Sequence, residues 1–123
     1  MCKETKVTES ELEILKVVWR LNRATTSEIV SELNKKTSWS PRTIQTLISR
    51  LSNKGVLGIE KLNRRTYIYY SLITEEEYKN FANESLLNKL YNGSLNLMMT
   101  TFIKNTKLTE TDINYLKNLL DER

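Results

Sequence analysis

Residues 40–55 encode a helix whose beginning and end are both marked by residue type. Ser40 is a favourable N-cap, and Pro41 follows it at the first helical position, where a missing N–H group costs nothing. Gly55 stands where a helix ending near Lys54 needs a left-handed residue. The segment therefore predicts an amphipathic helix packed on a core. Its apolar face consists of Ile44, Leu47, Ile48 and Leu51.

Capping motifs before this helix and β-prone segments after it give the order of the other elements. Capping boxes at 8–11 and 25–28 predict two preceding helices, joined by a short turn from Asn22 to Ala24. Residues 56–62 and 66–72 predict a β-hairpin, and three helices are predicted after it. The fold class is therefore mainly α with a small β-wing. We expect a winged helix-turn-helix DNA-binding domain at 1–73 and a C-terminal helical dimerisation domain at 74–123.

The polar face of the helix from Pro41 carries hydroxyls, amides and cations but no acid. A solvated surface helix usually mixes Glu and Lys, so an ordinary polar surface is the less favoured alternative. Arg reads guanine edges or phosphates, Gln reads adenine, and Thr offers a hydroxyl to phosphate and a methyl group to thymine. The predicted DNA-binding residues of this segment are Trp39, Ser40, Arg42, Thr43, Gln45, Thr46, Ser49, Arg50 and Lys54.

Positive charge is concentrated around this helix. The chain has 19 basic and 15 acidic residues, and between Lys35 and Tyr67 eight basic residues face a single acid, Glu60. Two of these cations, Arg64 and Arg65, lie at the tip of the predicted hairpin. In a winged helix-turn-helix they converge with the helix on one surface. We therefore add both to the predicted DNA interface, whose affinity should fall steeply with salt.

The aromatic residues near this patch have two interpretations each. Trp39 could place its indole N–H on a phosphate or pack against the second helix. Tyr67, Tyr69 and Tyr70 could stack on the bases of a single-stranded nucleic acid. Alternation along a half-buried strand explains these tyrosines without a ligand, and we favour that interpretation.

The last 50 residues contain more apolar side chains than three short helices can hide. Self-association through this segment is the simplest explanation. A helix-turn-helix dimer would present two recognition helices about 34 Å apart to a palindromic site. Packing of Met98 and Met99 inside one chain is the alternative. The predicted dimerisation residues are Leu86, Leu87, Leu90, Leu95, Met98, Met99, Phe102, Ile103, Leu116 and Leu120.

The chain contains no histidine and one cysteine, Cys2. It therefore lacks the residues for Ser–His or Cys–His catalysis, a Cys/His zinc site or an internal disulfide. The acids at 75–77 follow Thr74 at a predicted helix start, where their negative charge interacts favourably with the helix dipole and stabilises the helix. We expect no enzyme activity, no metal and no cofactor. The sequence has no apolar run typical of a membrane span or signal peptide, so a cytoplasmic location is expected.

Three strings of the sequence are distinctive. They are WSPRTI at 39–44, LISRLSNKG at 47–55 and YYSL at 69–72. With Glu11, Ile14, Leu15, Val18 and Trp19 of the first helix, they give a resemblance to the penicillinase repressor family (BlaI/MecI/CopY type) over nearly the whole chain. The resemblance implies a dimeric winged-helix repressor of β-lactam resistance genes that binds a dyad-symmetric operator in double-stranded DNA. The residues it directs toward the bases are Arg42, Thr43, Gln45 and Thr46.

Two departures from the family pattern refine this expectation. Gln45 stands where the family often has Arg, so the family's operator sequence does not carry over. The copper-responsive branch carries C-terminal Cys-x-Cys motifs, whereas this chain has no cysteine after Cys2. The sequence therefore looks like the β-lactam branch.

The same branch implies a way of relieving repression. A membrane sensor-protease detects the antibiotic, and the repressor is then cleaved at an Asn-Phe bond in its dimerisation domain. The corresponding bond here is Thr101–Phe102, with threonine in place of asparagine. Cleavage at this bond is a hypothesis, and a different protease or signal is the alternative. A winged-helix regulator of another operon and a winged helix that binds protein are the competing functions.

Overall fold

The structure is a computed structural model that describes residues 6–123; Cys2 lies outside the described residues. The predicted helices and hairpin are confirmed. Along the described residues the elements are α1 (Glu9–Leu21), β1 (Ala24–Thr25), α2 (Thr26–Asn34), α3 (Pro41–Asn53), β2 (Leu57–Lys61), β3 (Tyr67–Ser71), α4 (Glu75–Tyr91), α5 (Leu95–Asn105) and α6 (Glu110–Asp121).

The first two helices begin where side chains accept otherwise free backbone N–H groups. Before α1, Thr8 Oγ1 accepts the N–H of Glu11 at 3.2 Å, and Glu11 Oε1 accepts the N–H of Thr8 at 3.0 Å. The same reciprocal pair joins Thr25 and Glu28 at the start of α2. Both predicted capping boxes are therefore present.

The three strands form one antiparallel sheet in the order β1-β3-β2. The predicted turn from Asn22 to Ala24 is wrong at its end, because Ala24 begins β1 and pairs with Tyr69 of β3. Asn22, with a φ of 69°, does adopt a turn conformation. A strand of two residues is too short to leave a periodic pattern in the sequence.

The buried apolar side chains of the described residues lie between Ile14 and Tyr69, on α1, α2, α3, the sheet and Val56 just before β2. Across residues 75–121, all of which the structure describes, α4, α5 and α6 contain no buried side chain. The core of the single chain is therefore confined to its N-terminal part. No helix within residues 6–123 has the length and apolar character needed to cross a membrane.

The chain divides into two compact units. The N-terminal unit ends at Phe81, and the C-terminal unit begins at Ala82. The first turns of α4 belong to the N-terminal unit, where the Tyr78 ring packs against Trp19 with 5.7 Å between the ring centroids. The same indole donates its N–H to Ser71 Oγ at 3.1 Å and to the carbonyl of Ile73 at 3.0 Å. The predicted domain boundary at residue 73 stays a prediction.

Candidate nucleic-acid interface

Helix α3 has two chemically different faces. Four isoleucine and leucine side chains are buried and hold it on the core, while the polar side chains other than the half-buried Ser52 are exposed. Ser40 Oγ accepts the N–H of Thr43 at 3.2 Å, so Ser40 is committed to capping the helix. Thr46 Oγ1 donates to the carbonyl of Arg42 at 3.0 Å, which leaves its methyl group for other contacts. The exposed polar residues of α3 include Arg42, Thr43, Gln45, Thr46, Ser49 and Arg50.

Five residues of α3 border an open depression in the surface: Pro41, Arg42, Gln45, Thr46 and Ser49. The depression therefore contains a guanidinium, an amide and two hydroxyls. These groups can donate and accept hydrogen bonds at base edges, and no acid among them would repel a polyanion.

The eight cations around α3 fall into two groups. Lys35, Lys36 and Lys54 form ion pairs with acids of the N-terminal unit. Within residues 6–123, none of the other five has a carboxylate within ion-pair distance. The unpaired group is the one free to bind phosphates, and it consists of Arg42, Arg50, Lys61, Arg64 and Arg65. Lys61 belongs to the basic patch of the sequence but not to the predicted interface residues.

The wing is the hairpin of β2 and β3. Its turn is closed by Asn63 Oδ1, which accepts the N–H groups of Arg65 at 3.0 Å and Thr66 at 3.1 Å. The Arg64 and Arg65 side chains are exposed at this tip, as predicted. Lys61 lies beside them with its ammonium group 5.9 Å from the centroid of the Tyr67 ring. The tip therefore presents three cations.

The base of the wing is held by a contact that leaves no local signal in the sequence. Glu60, the single acid of the patch, forms an ion pair with Arg23 from the turn between α1 and β1. The Arg23 guanidinium also lies 5.9 Å from the centroid of the Tyr70 ring. That ring covers Gly58, since a Cβ atom there would lie 2.5 Å from Tyr70 Cε2 and 2.7 Å from Tyr70 Oη. Arg23 thus neutralises the acid and braces the strand that carries the tip.

Lys54 differs from the other predicted DNA-binding residues because its ammonium group has partners inside the chain. It donates to Glu11 Oε1 at 2.5 Å and to the carbonyl of Lys6 at 2.6 Å. The Glu11 side chain is 1% exposed. Burial raises the pKa of Glu11, but hydrogen bonds from Lys54 and Thr8 outweigh it and hold that pKa below the ordinary value. These contacts favour a structural role for Lys54.

The aromatic residues mostly serve packing. Trp39 is half-buried and contacts the core, which favours the packing interpretation over a phosphate contact. Tyr69 is buried, Tyr70 covers Gly58, and Tyr67 is exposed on the wing. The three tyrosines therefore do not form a common stacking surface of exposed rings.

The predicted dimerisation residues are half-buried or exposed in the single chain. Leu86, Leu87 and Met98 are half-buried, whereas Phe102 is 45% exposed and Leu120 is 71% exposed. The other members of the set are exposed as well: Leu90, Leu95, Met99, Ile103 and Leu116.

The N-terminal unit is small and helical, carries an antiparallel wing and exposes an acid-free helix face. These features place the chain in the class of winged-helix DNA-binding proteins. Residues 7–122 match the family model described as penicillinase repressor. The chain belongs to the penicillinase repressor family.

The relatives and the solved structures agree with this membership. The penicillinase repressor of Bacillus licheniformis is 39% identical over 122 residues, which cover 99% of this chain and 94% of the relative. The methicillin resistance regulatory protein MecI of Staphylococcus aureus is 31% identical over 121 residues, covering 98% of each. The solution structure of the DNA-binding domain of the repressor BlaI matches with a TM-score of 0.55 and 40% identity, over 59% of this chain and 88% of that one.

A second solved structure includes nucleic acid. It is the monomeric form of Bacillus licheniformis BlaI in complex with the blaP half-operator, and it is similar to this chain with a TM-score of 0.52 and 40% identity. The match covers 59% of this chain and 88% of that one. The shared region is the winged-helix fold.

Proposed function

We propose that this chain is a transcriptional repressor that binds a dyad-symmetric operator as a homodimer and controls β-lactam resistance genes. The observation that carries the proposal is the acid-free face of α3, flanked by unpaired cations on the helix and on the wing. Family membership and the half-operator complex of BlaI support it. A repressor acts on DNA inside the cell, so we propose a cytoplasmic location and no catalytic role.

In this proposal α3 is the recognition helix and enters the major groove. Arg42 and Gln45 reach base edges, while Thr43 offers a hydroxyl group and Thr46 a methyl group. Arg64 and Arg65 bind the sugar-phosphate backbone from the wing. Each phosphate contact releases counterions, so operator affinity should fall linearly with the logarithm of the salt concentration.

The exposed apolar side chains of α4, α5 and α6 support the dimer. Monomeric proteins rarely expose contiguous apolar patches of this kind, and a second copy of the chain would cover them. Two recognition helices would then contact half-sites about one helical turn apart. The symmetry of the operator would follow from the symmetry of the protein.

The bond between Thr101 and Phe102 is the proposed site of cleavage by a protease that a membrane sensor activates. It lies inside α5, where Thr101 Oγ1 donates to the carbonyl of Leu97 at 2.9 Å and the Thr101 carbonyl accepts from Asn105 Nδ2 at 2.8 Å. Cleavage therefore requires local unwinding of α5. Cells treated with a β-lactam should contain a fragment ending at Thr101, and an intact chain in derepressed cells would contradict the proposal.

The experiment that tests the proposed function is selection of bound duplexes from a random pool at near-physiological salt. The expected result is a dyad with half-sites about one helical turn apart. Competition with random DNA then gives the specificity ratio. If no duplex is enriched, the protein is a nonspecific binder or a protein-interaction module. If the enriched dyad lies upstream of genes unrelated to β-lactam resistance, the chain regulates another operon.

A further inference from the structure

Lys54 follows the last residue of α3, and Glu11 lies in the first turn of α1. We infer that Glu11 and Lys54 are a positioning pair that fixes the C-terminal end of α3 on α1, so that Lys54 acts on operator recognition through Glu11 and not through a DNA phosphate. This inference rests on the proposed DNA-binding function.

The chemistry of the pair follows from the burial of the acid. Among residues 6–123, Glu11 is the charged residue that is buried, with 1% of its surface exposed. A buried carboxylate must be compensated by hydrogen bonds or an opposite charge. Here a single oxygen, Oε1, accepts from both the Thr8 N–H and the Lys54 ammonium. The acid therefore holds the lysine in place.

The pair adds directional hydrogen bonds to the contact between α3 and the core, which is otherwise apolar. Four leucine and isoleucine side chains hold α3 on the core, and hydrophobic contacts of this kind tolerate small shifts along or around the helix axis. The Lys54 ammonium must stay within hydrogen-bond distance of both Glu11 and the Lys6 carbonyl. These bonds join the end of α3 to α1 and to the segment before it. They restrict the axial position and rotation of the recognition helix.

The consequence for recognition is selective. Contacts with base edges depend on the position of Arg42 and Gln45 to within a fraction of an ångström, whereas attraction to phosphates acts over longer distances. Loss of the pair should therefore weaken binding to the operator more than binding to random DNA. A lysine that itself bound a phosphate would weaken both alike and lower the salt dependence.

The test compares Lys54→Met, Glu11→Gln and the double variant in the full chain. The probes are the duplex that the wild-type protein enriches and a random duplex of the same length, each titrated at several salt concentrations. Lys16→Met is the matched control, because Lys16 is itself exposed, pairs with Glu13 on its own helix α1 and lies outside the proposed interface. Arg64→Ala is the reference for a phosphate contact. Each titration is made at a temperature where thermal unfolding shows the variant fully folded.

Both single variants should lose about tenfold in operator affinity, the size of one lost base contact, and keep the affinity for random DNA within about twofold. The salt slope of each variant should match that of the wild type. The double variant should lose no more operator affinity than the single variant that binds the operator less tightly. Lys16→Met should change neither affinity.

Two results would overturn the inference. In the first, Lys54→Met weakens both duplexes and lowers the salt slope by about 1, as Arg64→Ala does, while Glu11→Gln binds like the wild type. In the second, the ratio of operator to random affinity is unchanged in all three variants. If Lys54→Met does not fold, Glu11→Gln and the double variant decide between these outcomes. Failure of the wild-type protein to enrich any duplex would instead refute the proposed function, and the inference with it.

Discussion

Replacement of Gly58 by alanine should destabilise the N-terminal unit through one contact, that with the ring of Tyr70. The new Cβ would lie 2.5 Å from Tyr70 Cε2, whereas carbon atoms in contact are about 3.5–4.0 Å apart. The ring must therefore move outward by about 1 Å. This movement also separates it from the Arg23 guanidinium, now 5.9 Å from the ring centroid.

The magnitude follows from three contributions. Overpacking costs about 1–3 kcal/mol. Loss of an exposed cation–π contact adds about 0.5–1 kcal/mol. Alanine is about 0.5–1 kcal/mol more favourable than glycine inside a strand, which offsets part of this. Because Tyr70 is half-buried and its ring is the mobile end of the side chain, we expect the lower limit, a net loss of about 1 kcal/mol for Gly58→Ala.

In a Tyr70→Ala background the same change should have the opposite sign. With no ring to displace, Gly58→Ala should stabilise the unit by about 0.5 kcal/mol through the strand preference alone. The coupling free energy between the two positions should therefore be about 1.5 kcal/mol, within the range for residues in contact.

Urea unfolding followed by tryptophan fluorescence measures this coupling. Both tryptophans of the chain, Trp19 and Trp39, lie in the N-terminal unit, so the signal reports that unit. All four proteins should be compared at one protein concentration, since association would shift the midpoints. An equal loss of stability from Gly58→Ala in both backgrounds would refute the argument, because it would show that the cost does not come from Tyr70.

Three further results are expected. Arg42→Ala should change which duplexes are selected, whereas Arg64→Ala should weaken all duplexes and lower the salt slope by about 1; equal effects on specific and random DNA from both would contradict the assigned roles. Folding lowers the pKa of Glu11, so its ionisation stabilises the fold above the ordinary glutamate pKa of about 4.3, and this contribution is lost as pH falls through the lower folded-state pKa. The urea midpoint of the wild type should therefore drop more steeply below about pH 4 than that of Glu11→Gln, and parallel profiles would be inconsistent with this. Leu120→Asp should weaken the dimer in sedimentation experiments while Thr111→Asp, on the same helix, should not; a wild-type monomer at micromolar concentration would exclude the proposed dimer.

The sequence was most informative where structure depends on neighbours along the chain. Thr8, Thr25 and Ser40 mark helix starts because a capping side chain bonds to an N–H three residues later. The stripe on α3 predicts its buried face because the periodicity of a helix is regular. The same periodicity places the polar, acid-free residues of α3 on its exposed face. The fold and the centre of the candidate interface were therefore accessible from the sequence.

Contacts between residues far apart in the chain were not accessible in this way. Strand β1 exists because Ala24 meets Tyr69, and Arg23 reaches Glu60 only after that pairing has formed. The partner of Lys54 lies on α1, so the sequence around Lys54 shows a basic residue at the end of an acid-free helix but not the carboxylate that it contacts. For Arg23 and Lys54, the local pattern gives the charge of the side chain but not the group that neutralises it.

The order of strands in the sheet has a consequence for the synthesis of the protein. The last strand to be translated, β3, is the central one, and it pairs with β1 on one side and β2 on the other. A nascent chain that ends after α3 thus lacks the strand that closes the sheet. We expect the sheet and the core that it covers to form in one cooperative step once residue 71 has left the ribosome, so that incomplete chains do not compete with finished repressor for DNA.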